Sequence, residues 1–215
     1  FVRKKKIHRV LSSSRETNLP AFAANPADRC YHCKKHLFGA LWQIGEQTGL
    51  RQVTHGANRD DLDDYRPGMK AAQEMDIGAP LVAAGLGKAA VRSLAKEMDL
   101  DSWNRPAMAC LATRIPYGTT ITPERLRMVD QAETFLLNLG IERCRVRHHG
   151  TIARLELDPA GMARILKEDM RHLVVTRLRD IGFGHITMDL EGYVSGSMNR
   201  ALDLDSESQL KGVKP

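Results

Sequence analysis

Aromatic residues are scarce in this 215-residue chain, at 5%, and that scarcity weakens the nucleic-acid reading its net charge of +6 invites. The one dense basic run, Arg3-Lys4-Lys5-Lys6, reads as a solvated end. No apolar run approaches the roughly 20 residues needed to cross a bilayer. None follows the basic start as the core of a signal peptide would, so a cytoplasmic location is expected. Cysteines number only 4, and without an export signal they argue against a disulfide framework. The first residue is Phe rather than Met, which suggests a fragment or a processed start. Hydrophobic residues at 42% and charged residues at 27% are ordinary for a folded chain with one large domain or two small ones.

Periodicity divides the chain. Lys6 to Leu11 has strand character, and Lys34 to Thr48 reads as a helix with Leu37, Leu41 and Ile44 on one face and Gly49 as its stop. Gln52 to His55 is a short strand candidate, and the polar stretch from Asn58 to Gly68 is a loop. Lys88 to Met98 is helical. Thr122-Pro123 supplies an N-cap and a first-turn proline for a helix running to Leu139. Cys144 to His148 and Ile152 to Leu157 alternate as strands around a turn. Ala160 to Ile181 reads as one helix, and His185 to Leu190 as a third strand. An α/β part over residues 1–120, a small α+β part over 121–200 and a polar tail over 201–215 are expected.

Several clusters could carry chemistry. Cys30 and Cys33 form a C-x-x-C pair on an expected turn, a spacing used by zinc sites, iron–sulfur sites and redox pairs alike. Cys110 lies in a proline-bracketed segment four residues before Arg114, a cation that could favour a thiolate or bind an anion. Cys144 alternates with Arg143, Arg145 and Arg147, so it reads as a core residue on the face opposite three guanidiniums. Those arginines suit either an anionic ligand or a solvated sheet face. Glu133 falls within the apolar stripe of Leu126, Val129, Leu136 and Leu137, where a carboxylate needs a partner; the nearby arginines are candidates. The loop containing Asp60, Asp61, Asp63 and Asp64 could hold Mg²⁺ on a nucleotide or simply cap itself.

In chain order, Asn25-Pro26-Ala27-Asp28-Arg29-Cys30-Tyr31-His32-Cys33-Lys34, Gly56-Ala57-Asn58-Arg59-Asp60-Asp61 and Asp64-Tyr65-Arg66-Pro67-Gly68 are similar to the LarE-type sulfur transferases. So are Ala109-Cys110-Leu111-Ala112-Thr113-Arg114-Ile115-Pro116-Tyr117-Gly118, Val146-Arg147-His148-His149-Gly150 and Asp189-Leu190-Glu191-Gly192-Tyr193. The resemblance implies a PP-loop ATP pyrophosphatase domain, the remainder of a doubly wound parallel sheet, ahead of the small α+β domain. It implies ATP-dependent conversion of a pyridinium dicarboxylate mononucleotide to its thiocarboxylate, a precursor of a nickel-pincer nucleotide. Having Cys30, Cys33 and Cys110 together resembles the subtype whose three cysteines hold a [4Fe-4S] cluster with a transferable sulfide, and Cys110 is then the catalytic cysteine. Arg114, Glu133, Arg145 and Arg147 would line the substrate site, and Gly56, Asn58, Asp60 and Asp61 the ATP–Mg²⁺ site. Expected partners are the nucleotide substrate and further copies of the chain, without membrane or nucleic acid. The family's Ser-Gly-Gly-x-Asp-Ser loop has no counterpart; Leu11-Ser12-Ser13-Ser14-Arg15 lacks the glycines that let backbone amides approach phosphate, so weak ATP binding is expected. A tRNA-thiolating relative and a zinc-stabilised binding module are the alternatives, and brown or colourless protein separates iron–sulfur from zinc.

Overall fold

The computed structural model describes residues 2, 5–12, 15–63, 66–105, 109–194 and 196–200. Its mixed helices and strands group into two compact units, Phe1–Phe22 with Asp28–Met108 and Ala23–Ala27 with Ala109–Pro215. A short helix, α1 (Pro20–Ala23), leads into the first exchange of chain between them. Among the described residues no helix is long and apolar enough to cross a membrane.

The first unit holds α2 (Arg29–Thr48), α3 (Pro67–Glu74), α4 (Pro80–Ala83) and α5 (Lys88–Glu97). Its apolar centre is Phe38 of α2 with Val53, Ala72 and Ile77. Burying Phe38, Val53 and Ile77 contributes about 1.5–3 kcal/mol each. Trp42 packs at the edge and donates its Nε1–H to the Met75 carbonyl at 3.1 Å. Gly49, at φ 73°, ends α2 in the left-handed conformation that glycine adopts without strain. The helix begins at Arg29, five residues before the expected start, so Cys30 and Cys33 lie on its first turns and not on a preceding turn. Pro67 is the first residue of α3, so the loop expected to reach Gly68 ends at Arg66. Lys6 to Leu11 forms no strand, having no extended partner among the described residues. Gln52 to His55 contributes a single parallel bridge, Thr54 to Gly78, and no other strand pairing lies among this unit's described residues.

The second unit contains α6 (Pro123–Asn138), β1 (Cys144–His149), β2 (Ile152–Leu157), α7 (Pro159–Ile165), α8 (Glu168–Ile181) and β3 (His185–Met188). The Thr122 side chain accepts from Arg125 N–H, and Pro123 opens α6. β1 and β2 pair antiparallel, Cys144 opposite Leu157 and His149 opposite Ile152; β3 lies parallel to β2, giving the order β1-β2-β3. The expected helix from Ala160 to Ile181 is two helices, broken at Lys167, whose backbone is extended. The break lets Ile165 of α7 and Val174 and Leu178 of α8 enter one core with Leu136, Val146 and Leu155. Leu137, expected on the apolar stripe of α6, is 49% exposed. Residues 23–27 join this unit through Asn25, fully buried, whose Nδ2 donates to the carbonyls of Pro116 (2.7 Å) and Thr119 (2.9 Å).

Candidate functional site

Three positions singled out in the second unit form one chain of contacts. Glu133 sits on the buried side of α6 at 8% exposure, between Val129 and Leu136. Arg114, from the 3-10 turn Leu111–Arg114, meets it side-on, with Nε donating to Oε1 and Nη2 to Oε2, both at 2.8 Å. This bidentate pairing compensates both buried charges. Glu133 Oε1 also accepts from Val146 N–H at 2.9 Å, closing a backbone donor on the outer strand β1. The remaining end of Arg114 grips the preceding loop, as Nη1 donates to the carbonyls of Ala109 (2.9 Å) and Cys110 (3.0 Å) and to Thr113 Oγ1 (3.0 Å). The Cys110 backbone is therefore tied through Arg114 to the helix, while Cys110 itself is exposed. Cys144 is the opposite case. Burial, followed by the charge of Glu133, pushes its thiol up to about 12, so it is a packed core residue.

Arg145 and Arg147 leave the other face of β1, away from Cys144 and Val146. They are not ordered by Glu133, as their common neighbourhood in the sequence had led us to expect. Glu133 lies on the α6 side, and its oxygens are taken by Arg114 and Val146. The carboxylate of Glu156 on β2 takes the role instead, fully buried, accepting from Arg147 Nη2 at 2.6 Å and Arg154 Nη2 at 3.0 Å. Arg147 Nη1 donates to the Thr113 carbonyl at 2.8 Å, which joins this face to the Cys110 loop. Arg145 Nη1 donates to the Cys144 carbonyl at 2.8 Å, and its guanidinium lies 5.2 Å from the Tyr193 ring centre. Arg143, before the strand, is exposed. Glu156 and Arg154 were not singled out in the sequence. The available signal was alternation: antiparallel pairing puts Arg154 and Glu156 opposite Arg147 and Arg145 on the same face.

In the first unit, Cys30 and Cys33 are one helical turn apart, which directs both side chains from one face of α2. Cys110 belongs to the second unit. Among the described residues no group of three or more His, Cys, Asp or Glu side chains is gathered for a metal ion. The acidic loop turns inward on itself. Asn58 and Asp61 form a capping box, Asp61 Oδ2 accepting from Asn58 N (3.0 Å) and Nδ2 (2.8 Å), while Asn58 accepts from Asp60 N. Asp60 caps α5 by accepting from Lys88 N at 2.8 Å. Burial raises the Asp61 pKa, but the Asn58 N–H, Arg66 at 3.0 Å and Lys88 at 3.4 Å outweigh it and hold the carboxyl below its ordinary range. Asp64 lies outside the described residues. Gly56 lines a cavity of about 460 Å³ with Cys30, Lys34, His55, Asp61 and Arg66, so this motif contributes backbone and one carboxylate to a concave surface whose cations are Lys34 and Arg66.

No protein-family model matches the sequence. The chain is 38% identical over 195 residues to an uncharacterised protein of Synechocystis, covering 91% of this chain and 72% of that one. It is 39% identical over 178 residues to a pyridinium-3,5-bisthiocarboxylic acid mononucleotide synthase of Lactiplantibacillus plantarum, covering 83% of this chain and 64% of the synthase. An uncharacterised Methanocaldococcus jannaschii protein is 32% identical over 171 residues, covering 80% of this chain and 66% of its own length.

Proposed function

We propose that the chain is a LarE-type enzyme that transfers sulfur to a carboxyl group of a pyridinium dicarboxylate mononucleotide at the expense of ATP; it spans just under two thirds of the length of the synthase it matches. The observation that carries this reading is the 39% identity to a named synthase across 83% of the chain. The buried fork of Arg114 and Glu133 supports it chemically, because it fixes the loop of an exposed cysteine beside an arginine-bearing sheet face. In this reading ATP adenylylates the carboxyl group, AMP leaves, and sulfur takes the place of the lost oxygen. Arg145 and Arg147 receive the substrate phosphate, Arg114 and Glu133 hold the reactive loop, and Cys110 stands at the sulfur-delivering end. The nucleotide meets the first unit at the cavity of Gly56, Lys34 and Arg66. This cavity suits a phosphate chain better than Asp60, whose carboxylate caps α5. The parallel doubly wound domain of the PP-loop superfamily is the proposed setting for that cavity.

Cys30, Cys33 and Cys110 are the proposed ligands of a [4Fe-4S] cluster. None of the three is fully buried or disulfide-bonded, and thiolate is the ligand such clusters take. A cluster held by three thiolates supplies one open iron for a transferable sulfide. The test is to load the chain anaerobically with iron and sulfide, add ATP–Mg²⁺ and the dicarboxylate mononucleotide, and follow AMP release and oxygen-to-sulfur replacement by mass spectrometry. Thiocarboxylate formed with AMP, at ATP concentrations raised to offset the weak binding expected without the glycine-rich loop, is the expected result. AMP release without sulfur incorporation would overturn the sulfur-transfer assignment, and neither product would overturn the reading as a whole.

A further inference from the structure

The arginine face of the β1–β2 pair is already occupied by the chain's own later segment. Tyr193 lies over the Arg145 guanidinium at 5.2 Å, and Arg145 Nη2 reaches its hydroxyl at 3.5 Å. Four residues on, the Ser197 hydroxyl accepts from Arg147 Nη2 and donates to Glu156 Oε1, both at 3.1 Å. One stretch of chain therefore covers both arginines of the proposed phosphate site. Arg147 is left 6% exposed, and its Nε is buried with no hydrogen-bond partner among the described residues. His149 Nε2, on the same face, is likewise buried without one among the described residues, and Arg154 Nε meets only the Asp189 carboxylate, at 3.6 Å. A buried donor left unmade costs about 1–3 kcal/mol, so the covered state leaves the guanidinium edges incompletely satisfied.

We propose that the segment bearing Tyr193 and Ser197 is a displaceable cover, standing in for a phosphate group and leaving when one binds. The proposal rests on the reading of Arg145 and Arg147 as the substrate-phosphate site. Its direction follows from what holds each partner of Arg147. Thr113 belongs to the turn fixed by Arg114, and Glu156 lies within β2, so neither can withdraw without breaking the core. The covering segment is held more lightly. Tyr193 N–H donates to the Leu157 carbonyl at 2.8 Å; beyond it, among the described residues, stand the Ser197 hydroxyl, a turn bond of 3.4 Å from Ser197 N–H to Val194, and an exposed Arg200–Glu191 pair. Nε and Nη2 form the edge of a guanidinium that takes two oxygens at once. A phosphate arriving at the Ser197 position gives the orphaned Nε a partner, which the single hydroxyl does not.

The experiment uses inorganic phosphate as the probe, so it needs neither ATP nor sulfur transfer. Hydrogen–deuterium exchange over residues 190–200 is followed on the whole chain with and without phosphate. Phosphate affinity is then compared among the wild type, Ser197→Ala, Tyr193→Leu and Arg147→Gln, with thermal melts confirming the fold. Phosphate should speed exchange in this segment. Ser197→Ala and Tyr193→Leu should tighten binding, each by up to about tenfold, the scale of one hydrogen bond no longer in competition. Arg147→Gln should abolish it. Slower exchange with phosphate, or weaker binding by Ser197→Ala, would show the segment to be a ligand of the anion and overturn the cover. Phosphate that binds none of these proteins, nor the Tyr193→Leu/Ser197→Ala double variant, would remove the anion site and its cover together while leaving the sulfur-transfer assay to judge the wider reading.

Discussion

A carboxylate in an apolar helical stripe is costly unless its charge is matched, and Glu133 is matched by the fork of Arg114 and by Val146 N–H. Replacing one partner strands the other, so Glu133→Gln should destabilise the second unit by about 3–5 kcal/mol in a urea titration. Replacing both, as Arg114→Met/Glu133→Leu, should recover much of that loss; a double variant no more stable than the single would mean the pair does more than cancel charge. His148 and His149 make a second residue-scale case. Burial, first among the causes, holds both below the ordinary histidine value of 6.5. The unfolded chain therefore binds protons that the folded chain refuses. Stability is complete above about 6.5 and falls as pH drops through that value toward the depressed folded ones. Urea midpoints measured from neutral to mildly acid pH should decline, and His148→Phe, which keeps the edge-on contact with Phe183 apolar, should flatten the decline. An unchanged slope in that variant would place the proton uptake elsewhere.

At the scale of elements, α6 and the hairpin show how much the sequence carried. Thr122-Pro123 marked the helix start, and strict alternation located β1 and β2, because caps and pleats are local properties. Glu133 stood out because a helical period defines a face. Its partner did not, since the choice among Arg114, Arg145 and Arg147 depends on which side of β1 each side chain leaves. Glu156 escaped notice for the same reason: its burial exists only once β2 is registered against β1 and the Ser197 hydroxyl reaches it. The break at Lys167 was hidden too, because both halves are helical and only the shared core requires the bend. Local features also carry measurable weight. Thr122→Ala should cost about 0.5–2 kcal/mol through loss of the N-cap. Gly192 is more demanding, with φ at 72° and an added Cβ only 2.6 Å from the Leu157 carbonyl oxygen. Gly192→Ala must therefore shift the bond between Tyr193 N–H and that same carbonyl. Its melting temperature should fall by more than that of Gly118→Ala, a left-handed glycine with open space around it.

For the molecule as a whole, the four cysteines divide by chemistry. Cys144 is sealed in the core, with its thiol pushed up to about 12, and a thiol held protonated is a poor nucleophile and a poor metal ligand. Cys30 and Cys110 are exposed and Cys33 is partly so. Alkylation of the native chain near neutral pH should therefore modify Cys30, Cys33 and Cys110, and reach Cys144 only after unfolding. The same division governs the proposed cluster. Anaerobic loading with iron and sulfide should turn the wild type and Cys144→Ser brown, whereas Cys30→Ser, Cys33→Ser and Cys110→Ser should each lose the absorbance. Ligand binding to the folded state alone raises stability by mass action, so loading should also raise the melting temperature of the wild type and Cys144→Ser, and of none of the other three. The pairing of the two readouts matters, because adventitious iron on surface thiols would give colour without stabilisation. Colour surviving in Cys110→Ser with an undiminished rise in melting temperature would restrict the metal to Cys30 and Cys33. Cys110 would then be the sulfur-bearing residue alone, and not a cluster ligand.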